Sequence, residues 1–320
     1  MLVNPALPVV EEENAAWIRR FLNGAYRDPD ALEESTRQSS GLWGCYAAPQ
    51  VPVSAQILIT EWATLLFAFD DLVDTDVVSE RMVAHLEHMM ATNELSAHRS
   101  PMDAGIIDLW SRTCAALPAG LLTRLRDAAR IYISSVREEN TYRNSYRIPE
   151  PEHLIAIRRD SVALEFFLTL IEFGMGLTVT EAERKRTNRA LLHMQEHVVM
   201  SNDLNSFRRE VIRGDDMNLI NALCAHEKLT LQEGVDRLCR MIEKAEESFV
   251  ETRIDLLRSP HSPSIPPYLD ALAHIMSGNH HWGFICPRYH GRNHIWNGLK
   301  SGNLTLDPLQ TVLLPEPDRQ

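Results

Sequence analysis

The stretch TEAERKRTNRALLHMQEHVVMSNDLNSFRREVIRG, residues 180–214, sets the fold class. Thr180 followed three residues later by Glu183 is a capping box, in which each side chain takes an orphan backbone N–H of the other's end of the turn. Gly214 is the residue type that closes helices in the left-handed conformation. No proline or glycine interrupts the run between them. The spacing predicts one helix over 180–213, about 50 Å long at 1.5 Å per residue.

Helical periodicity continues on both sides of this stretch, and strand alternation is almost missing. Helices are expected over 11–26, 54–75, 79–92, 103–116, 120–143, 152–174, 217–226, 231–258 and 267–278, with one or two more between 281 and 300. Ser54 is placed as the cap of the second. Pro149 and Pro151, and Pro260, Pro263, Pro266 and Pro267, mark loops within one domain, because neither segment is long or low in complexity. The expected architecture is all-α: a single-domain helical bundle over 1–310, with 311–320 a tail that is mobile or acts as a lid. A bundle builds its site centrally, from inward-facing side chains.

Composition narrows the function classes. The chain has 320 residues, 44% apolar and 24% charged, with a formal net charge of −12. That balance suits a globular domain and argues against nucleic acid, whose phosphates need Lys/Arg surfaces. A small anionic substrate stays possible if divalent cations stand between it and the protein. The five cysteines are scattered, odd in number and form no CxxC pair; they read as reduced thiols of a cytoplasmic protein. Glu11, Glu12 and Glu13 stand where a secretory leader would be basic and then apolar. The apolar stretch around Ala63–Phe69 is too short to span a membrane.

Two oxygen-rich rows carry the chemistry. The predicted helix over 54–75 ends in Phe67-Ala68-Phe69-Asp70-Asp71-Leu72-Val73-Asp74. At about 100° per residue, Asp70, Asp71 and Asp74 share one face. Three carboxylates in the last turns oppose the helix dipole and repel one another, and a hard divalent cation reverses both penalties. The bland reading is a solvated acidic helix end; the apolar residues Leu65, Leu66, Phe67 and Phe69 just upstream argue for a buried one that needs partners. In the long helix, Asn202, Ser206 and Glu210 recur at i, i+4 and i+8, a stripe of amide, hydroxyl and carboxylate oxygens that suits Mg²⁺. Alone it reads equally as an exposed polar row. Opposed across a core, the two rows can bracket a diphosphate through metals.

Basic residues stand where such an anion needs them. Arg288-Tyr289 lies 86 residues after Asn202, and Arg158-Arg159 lies among apolar residues of the helix before the long one. A guanidinium bridges diphosphate oxygens bidentately. His193-Met194-Gln195-Glu196-His197 matches HxxEH, a zinc-hydrolase pattern, but its histidines lie roughly 140–180° around the helix from Asn202.

Taken together, these residues resemble the bacterial class I terpene synthases. Asp70-Asp71-Leu72-Val73-Asp74 matches the DDxxD motif, Asn202–Glu210 matches NDxxSxxxE in full, and Arg288-Tyr289 matches the RY pair, in order and over roughly residues 50–300. The resemblance implies an α-helical bundle with a central cavity and a lyase that ionises and cyclises a linear isoprenoid diphosphate. It implies three Mg²⁺ ions (Mn²⁺ as the alternative), held by Asp70, Asp71 and Asp74 and by Asn202, Ser206 and Glu210. Arg158, 44 residues before Asn202, becomes the pyrophosphate sensor, with Arg159 as the alternative; no glycine follows it to serve as the effector. Arg158, Arg288 and Tyr289 become the catalytic donors. Arg159, Arg209, Phe67, Trp282, Phe284 and Trp296 join them around the substrate. Farnesyl diphosphate is the substrate expected, with geranylgeranyl diphosphate the rival. No stable membrane association is implied, and a homodimer is allowed. A chain-elongating prenyltransferase would carry a second aspartate-rich motif in place of NDxxSxxxE. A zinc hydrolase or a non-catalytic helical protein would make no use of the two rows.

Overall fold

Leu58, Ile59, Trp62, Ala63, Leu65 and Phe69 form the apolar surface around which the bundle is assembled, each almost wholly buried. The structure, a computed structural model, describes residues 2–26, 29–73, 88, 101–145 and 147–291. In chain order its helices are α1 (Leu7–Phe21), α2 (Pro29–Gln38), α3 (Trp43–Ala47), α4 (Val53–Val73), α5 (Pro101–Ala116), α6 (Ala119–Ser145), α7 (Pro151–Ser161), α8 (Leu164–Gly174), α9 (Glu181–Arg213), α10 (Leu219–Glu227), α11 (Leu231–Arg258), α12 (Ile265–Ile285) and α13 (Pro287–His290), with a 3₁₀ turn at Ser40–Leu42. No strand occurs among the described residues. The fold is the expected all-α bundle.

The long helix forms for the reasons its sequence gives. Thr180 Oγ1 accepts the Glu183 N–H at 3.3 Å, the Glu183 carboxylate takes the Thr180 N–H at 2.7 Å, and Gly214 closes the helix at φ +73°. α9 packs against α11 and α12, α12 against α3, α6 against α7 and α8, and α4 against α1, α3, α5 and α8. One hydrophobic cluster fills the centre; a second, with Leu154, Val199, Met217, Leu223 and Leu238, ties α10 and α11 to α7 and α9. Each fully buried side chain of this kind contributes roughly 1.5–3 kcal/mol. The apolar stretch of α4 is longer than Ala63–Phe69: Val53–Asp71 is long and apolar enough to cross a membrane, but 67% of the window is buried inside the bundle. It is a core helix.

Several expectations need correction. The single helix expected over 152–174 is two, broken at Val162 and Ala163, where Ala163 takes φ +56°. A left-handed alanine costs roughly 1–2 kcal/mol; no glycine or proline signals the break, so tertiary packing imposes it. α2 and α3 were not expected. Ser54 does not cap α4, whose first turn starts earlier with Gln56 N–H bonded to the Pro52 carbonyl. α12 runs to Ile285, past the expected end at 278. Gly278 lets it approach α3, since a Cβ there would meet the Tyr46 carbonyl oxygen at 2.2 Å. The helix expected over 79–92 is, save His88, outside the described residues, as is the tail at 311–320.

Candidate active site

The C-terminal end of α4, the middle of α9, the α7–α8 break and α13 enclose one cavity. Its polar wall includes Asp70, Arg158, Asn202, Ser206, Arg209 and Glu210, with Arg288 and Tyr289. Its apolar wall includes Trp43, Ala63, Leu66, Phe67, Phe167 and Val198. Ser161, Val162 and Ala163 reach the wall because the helix breaks there.

The carboxylates are heavily compensated by arginine. Arg288 is buried and spans both aspartates, with Nη2 3.1 Å from Asp70 Oδ2 and Nη1 2.7 Å from Asp71 Oδ2. Arg209 and Arg213 also pair with Asp71. Burial alone would push the Asp71 carboxyl up, but the Arg288, Arg209 and Arg213 guanidiniums outweigh it and hold it well below the usual carboxylate range. Asp71 does not line the cavity; it stands behind, anchoring the arginines. The Arg288 guanidinium lies 4.9 Å over the Phe67 ring, whose other neighbour is the stacked Trp282, centroids 5.3 Å apart.

The second row is held by a buried network. Arg158 Nη2 is 2.6 Å from Asp203 Oδ1 and 3.1 Å from Asn202 Oδ1; its Nη1 is 3.6 Å from Glu139. Burial and the Glu210 charge raise the Asp203 carboxyl toward neutrality while Arg158 pulls it down. The ionised form is the consistent one, because a neutral acid would leave the buried guanidinium short of a counter-ion. Asn202 Nδ2 donates to the Tyr289 hydroxyl at 2.8 Å, joining α9 to α13. The Glu210 carboxyl is raised, chiefly by burial. Ser206 Oγ is buried and makes no well-formed hydrogen bond, although it stands close to that carboxylate. An amide oxygen, a hydroxyl and a carboxylate on one face form a hard oxygen donor set that fits a divalent cation.

Other expected residues fall elsewhere. Arg159 points away from the cavity, toward Glu196 at 3.8 Å. Phe284 packs edge-on against His280 instead, and Trp282 reaches the site only through Phe67 and Tyr289. Asp74 and Trp296 lie outside the described residues. The HxxEH histidines do not converge: His193 faces Glu196, while His197 lies buried near His280. Among the described residues no group of three or more His, Cys, Asp or Glu could hold a metal. Trp43, Glu139, Arg143, Ser161, Arg213 and Asp215 line the cavity and were not foreseen. For Trp43, a lone aromatic between glycines, the sequence offered no signal.

Comparison with known proteins identifies the family. Residues 61–248 match the family described as terpene synthase family 2, C-terminal metal binding. A (3S,6E)-nerolidol synthase of Selaginella moellendorffii is 28% identical, over 86% of this chain and 78% of its own. A (+)-T-muurolol synthase ((2E,6E)-farnesyl diphosphate cyclizing) of Roseiflexus castenholzii is 23% identical, over 90% of each chain. The crystal structure of the linalool/nerolidol synthase from Streptomyces clavuligerus in complex with 2-fluorogeranyl diphosphate superposes with a TM-score of 0.81 at 21% identity, covering 88% of this chain and 99% of that one. The metal-binding match spans the end of α4 and all of α9, the helices that carry both oxygen rows. The chain belongs to terpene synthase family 2 and is a class I terpene cyclase, a lyase acting on a prenyl diphosphate.

Proposed function

We propose that the enzyme takes farnesyl diphosphate with Mg²⁺, ionises it and cyclises the allylic cation to a hydrocarbon or alcohol. The observation that carries this reading is one cavity with two halves. Asp70 and the Asn202–Ser206–Glu210 row line it together with Arg288 and Tyr289, and Trp43, Ala63, Leu66, Phe67, Phe167 and Val198 form its apolar part. In this reading Asp70 and Asp74 would hold two of three Mg²⁺ ions, and Asn202, Ser206 and Glu210 would hold the third. Bound ions of this kind supply Lewis-acid neutralisation of the charge that builds on the departing diphosphate.

The chain's own groups do the rest. Arg158, Arg209 and Arg288 are now spent on carboxylates. With a diphosphate in the cavity, those guanidiniums would turn from the carboxylates to its oxygens, leaving the aspartates as donors for the cations. Tyr289 donates beside them. Phe67, Tyr132, Phe167 and Trp43 exclude water, which would quench the cation early, and their ring faces stabilise it by roughly 2 kcal/mol or more when desolvated. The farnesyl chain length is supported by the muurolol synthase relative, whose name states that substrate. The test is incubation of purified protein with Mg²⁺ and geranyl, farnesyl or geranylgeranyl diphosphate, followed by gas chromatography–mass spectrometry. A cyclic C15 product, absent without Mg²⁺, is expected. A C20 product would correct the substrate to geranylgeranyl diphosphate, and no product from any of the three would overturn the reading.

A further inference from the structure

The loop between α9 and α10 grips the second oxygen row from behind. Gly214 turns the chain at φ +73°. Asp215 then pairs with Arg143 of α6 at 3.1 Å and accepts the Met217 N–H at 3.0 Å, so the chain re-enters the bundle at Asn218. Asn218 is 0% exposed. Its Oδ1 accepts the Ile220 N–H at 2.8 Å and caps α10. Its Nδ2 donates twice: to the Asp203 carbonyl oxygen at 2.8 Å and to Glu210 Oε2 at 2.7 Å.

Capping needs only the oxygen, and Ser or Asp would serve as well. The two amide hydrogens have a separate use, because both of their acceptors belong to the Asn202–Glu210 stretch. A glutamate carries three rotatable side-chain bonds, and ordering such a side chain costs conformational entropy. With one oxygen fastened to Asn218, the carboxylate stays in the stripe beside Ser206. We infer that Asn218 is a positioning residue, which holds the Glu210 carboxylate in the rotamer that completes the Asn202–Ser206–Glu210 donor row. The inference rests on reading that row as the seat of a divalent ion.

The test is a Mn²⁺ titration in the presence of inorganic diphosphate, followed by thermal shift and by the electron paramagnetic resonance signal of free Mn²⁺. Asn218→Ser keeps a capping oxygen and loses both donors. Asn218→Asp keeps shape and cap and sets an oxygen against Glu210. Thr230→Ala removes an N-cap of α11, away from the site, as the control for stability alone. Loss of an outer-shell hydrogen bond to a metal ligand typically costs 10–100-fold in metal affinity. Both Asn218 variants should therefore raise the Mn²⁺ midpoint at least tenfold, while Thr230→Ala lowers the unliganded Tm and leaves the midpoint in place. A wild-type midpoint in a folded Asn218 variant, or an equal shift in Thr230→Ala, would overturn the inference. A wild-type protein that responds to neither Mn²⁺ nor diphosphate would defeat the metal-site reading itself, and the inference with it.

Discussion

Replacing Asp203 by Asn removes one charge from the interior and turns an amide NH2 toward the Arg158 guanidinium. The amide keeps the side chain's shape and an oxygen for the Leu219 N–H, which Asp203 now accepts at 2.7 Å. What is lost is the counter-ion 2.6 Å from Arg158, in a pair whose aspartate is 0% exposed. Breaking a buried pair by removing one partner costs about 3–5 kcal/mol. Here Glu139 at 3.6 Å and Asn202 Oδ1 at 3.1 Å remain beside the guanidinium, so the lower end applies, about 3 kcal/mol. At roughly 2.1 cal/mol/K of unfolding entropy per residue, a chain of this length loses about 3–5 °C of Tm. Arg158→Met alone strands Asp203 and costs at least as much. The double variant removes both charges and should cost less than the sum of the single ones by about 2 kcal/mol. Calorimetry of the four proteins measures the cycle directly. Additivity within about 0.5 kcal/mol would refute the pairing on which the site's geometry depends.

Three further outcomes are expected. Ser206→Ala removes a buried hydroxyl with no well-formed hydrogen bond. It should leave the unfolding free energy within about 1 kcal/mol of wild type while raising the Mg²⁺ concentration needed for half-maximal turnover at least tenfold; an unchanged Mg²⁺ requirement would remove Ser206 from the donor row. Arg288→Lys keeps the charge but gives up the fork that spans Asp70 and Asp71, and a bidentate contact of this kind is worth about 1.5–3 kcal/mol. A 10- to 100-fold fall in kcat/KM is expected, and full activity would contradict the role given to the guanidinium. His197 is held at about 4 by burial and by His280. Below the ordinary value near 6.5 the unfolded chain takes up a proton that the folded one does not. Stability is therefore full above pH 6.5 and falls by up to roughly 3 kcal/mol toward pH 4. His197→Leu should flatten that acid limb of Tm against pH, and an unchanged limb would assign it to other groups.

Much of the fold was legible because its signals are local. Thr180, Glu183 and Gly214 state the ends of α9 outright, and the stripe of Asn202, Ser206 and Glu210 needs only helical geometry to be seen. What stayed hidden depends on distant neighbours. The break at Ala163 has no local cause, since alanine favours helix; packing of α8 against α4 and α6 overrides it. α3 is five residues long, too brief for periodicity to register, yet it brings Trp43 to the cavity, fixed by its indole N–H to Asn279 Oδ1 at 3.1 Å. Glu139, Arg143 and Asp215 look like ordinary surface charges in sequence. They become part of the site because α6 packs against α7 and because Arg143 pairs with Asp215 in the loop after α9. Arg158 and Arg159 show the same limit: adjacent residues differ by about 100° around a helix, and only the register of α7 decides which one meets Asn202.

The most direct test of the account is a crystal structure with Mg²⁺ and inorganic diphosphate. The predicted result is an anion in the cavity beside α4 and α9, with Asp70 on one side and Asn202, Ser206 and Glu210 on the other ligating the cations. Arg158, Arg288 and Tyr289 should turn from their present partners onto the diphosphate oxygens. A diphosphate bound elsewhere, or cations that leave Ser206 and Glu210 untouched, would contradict it.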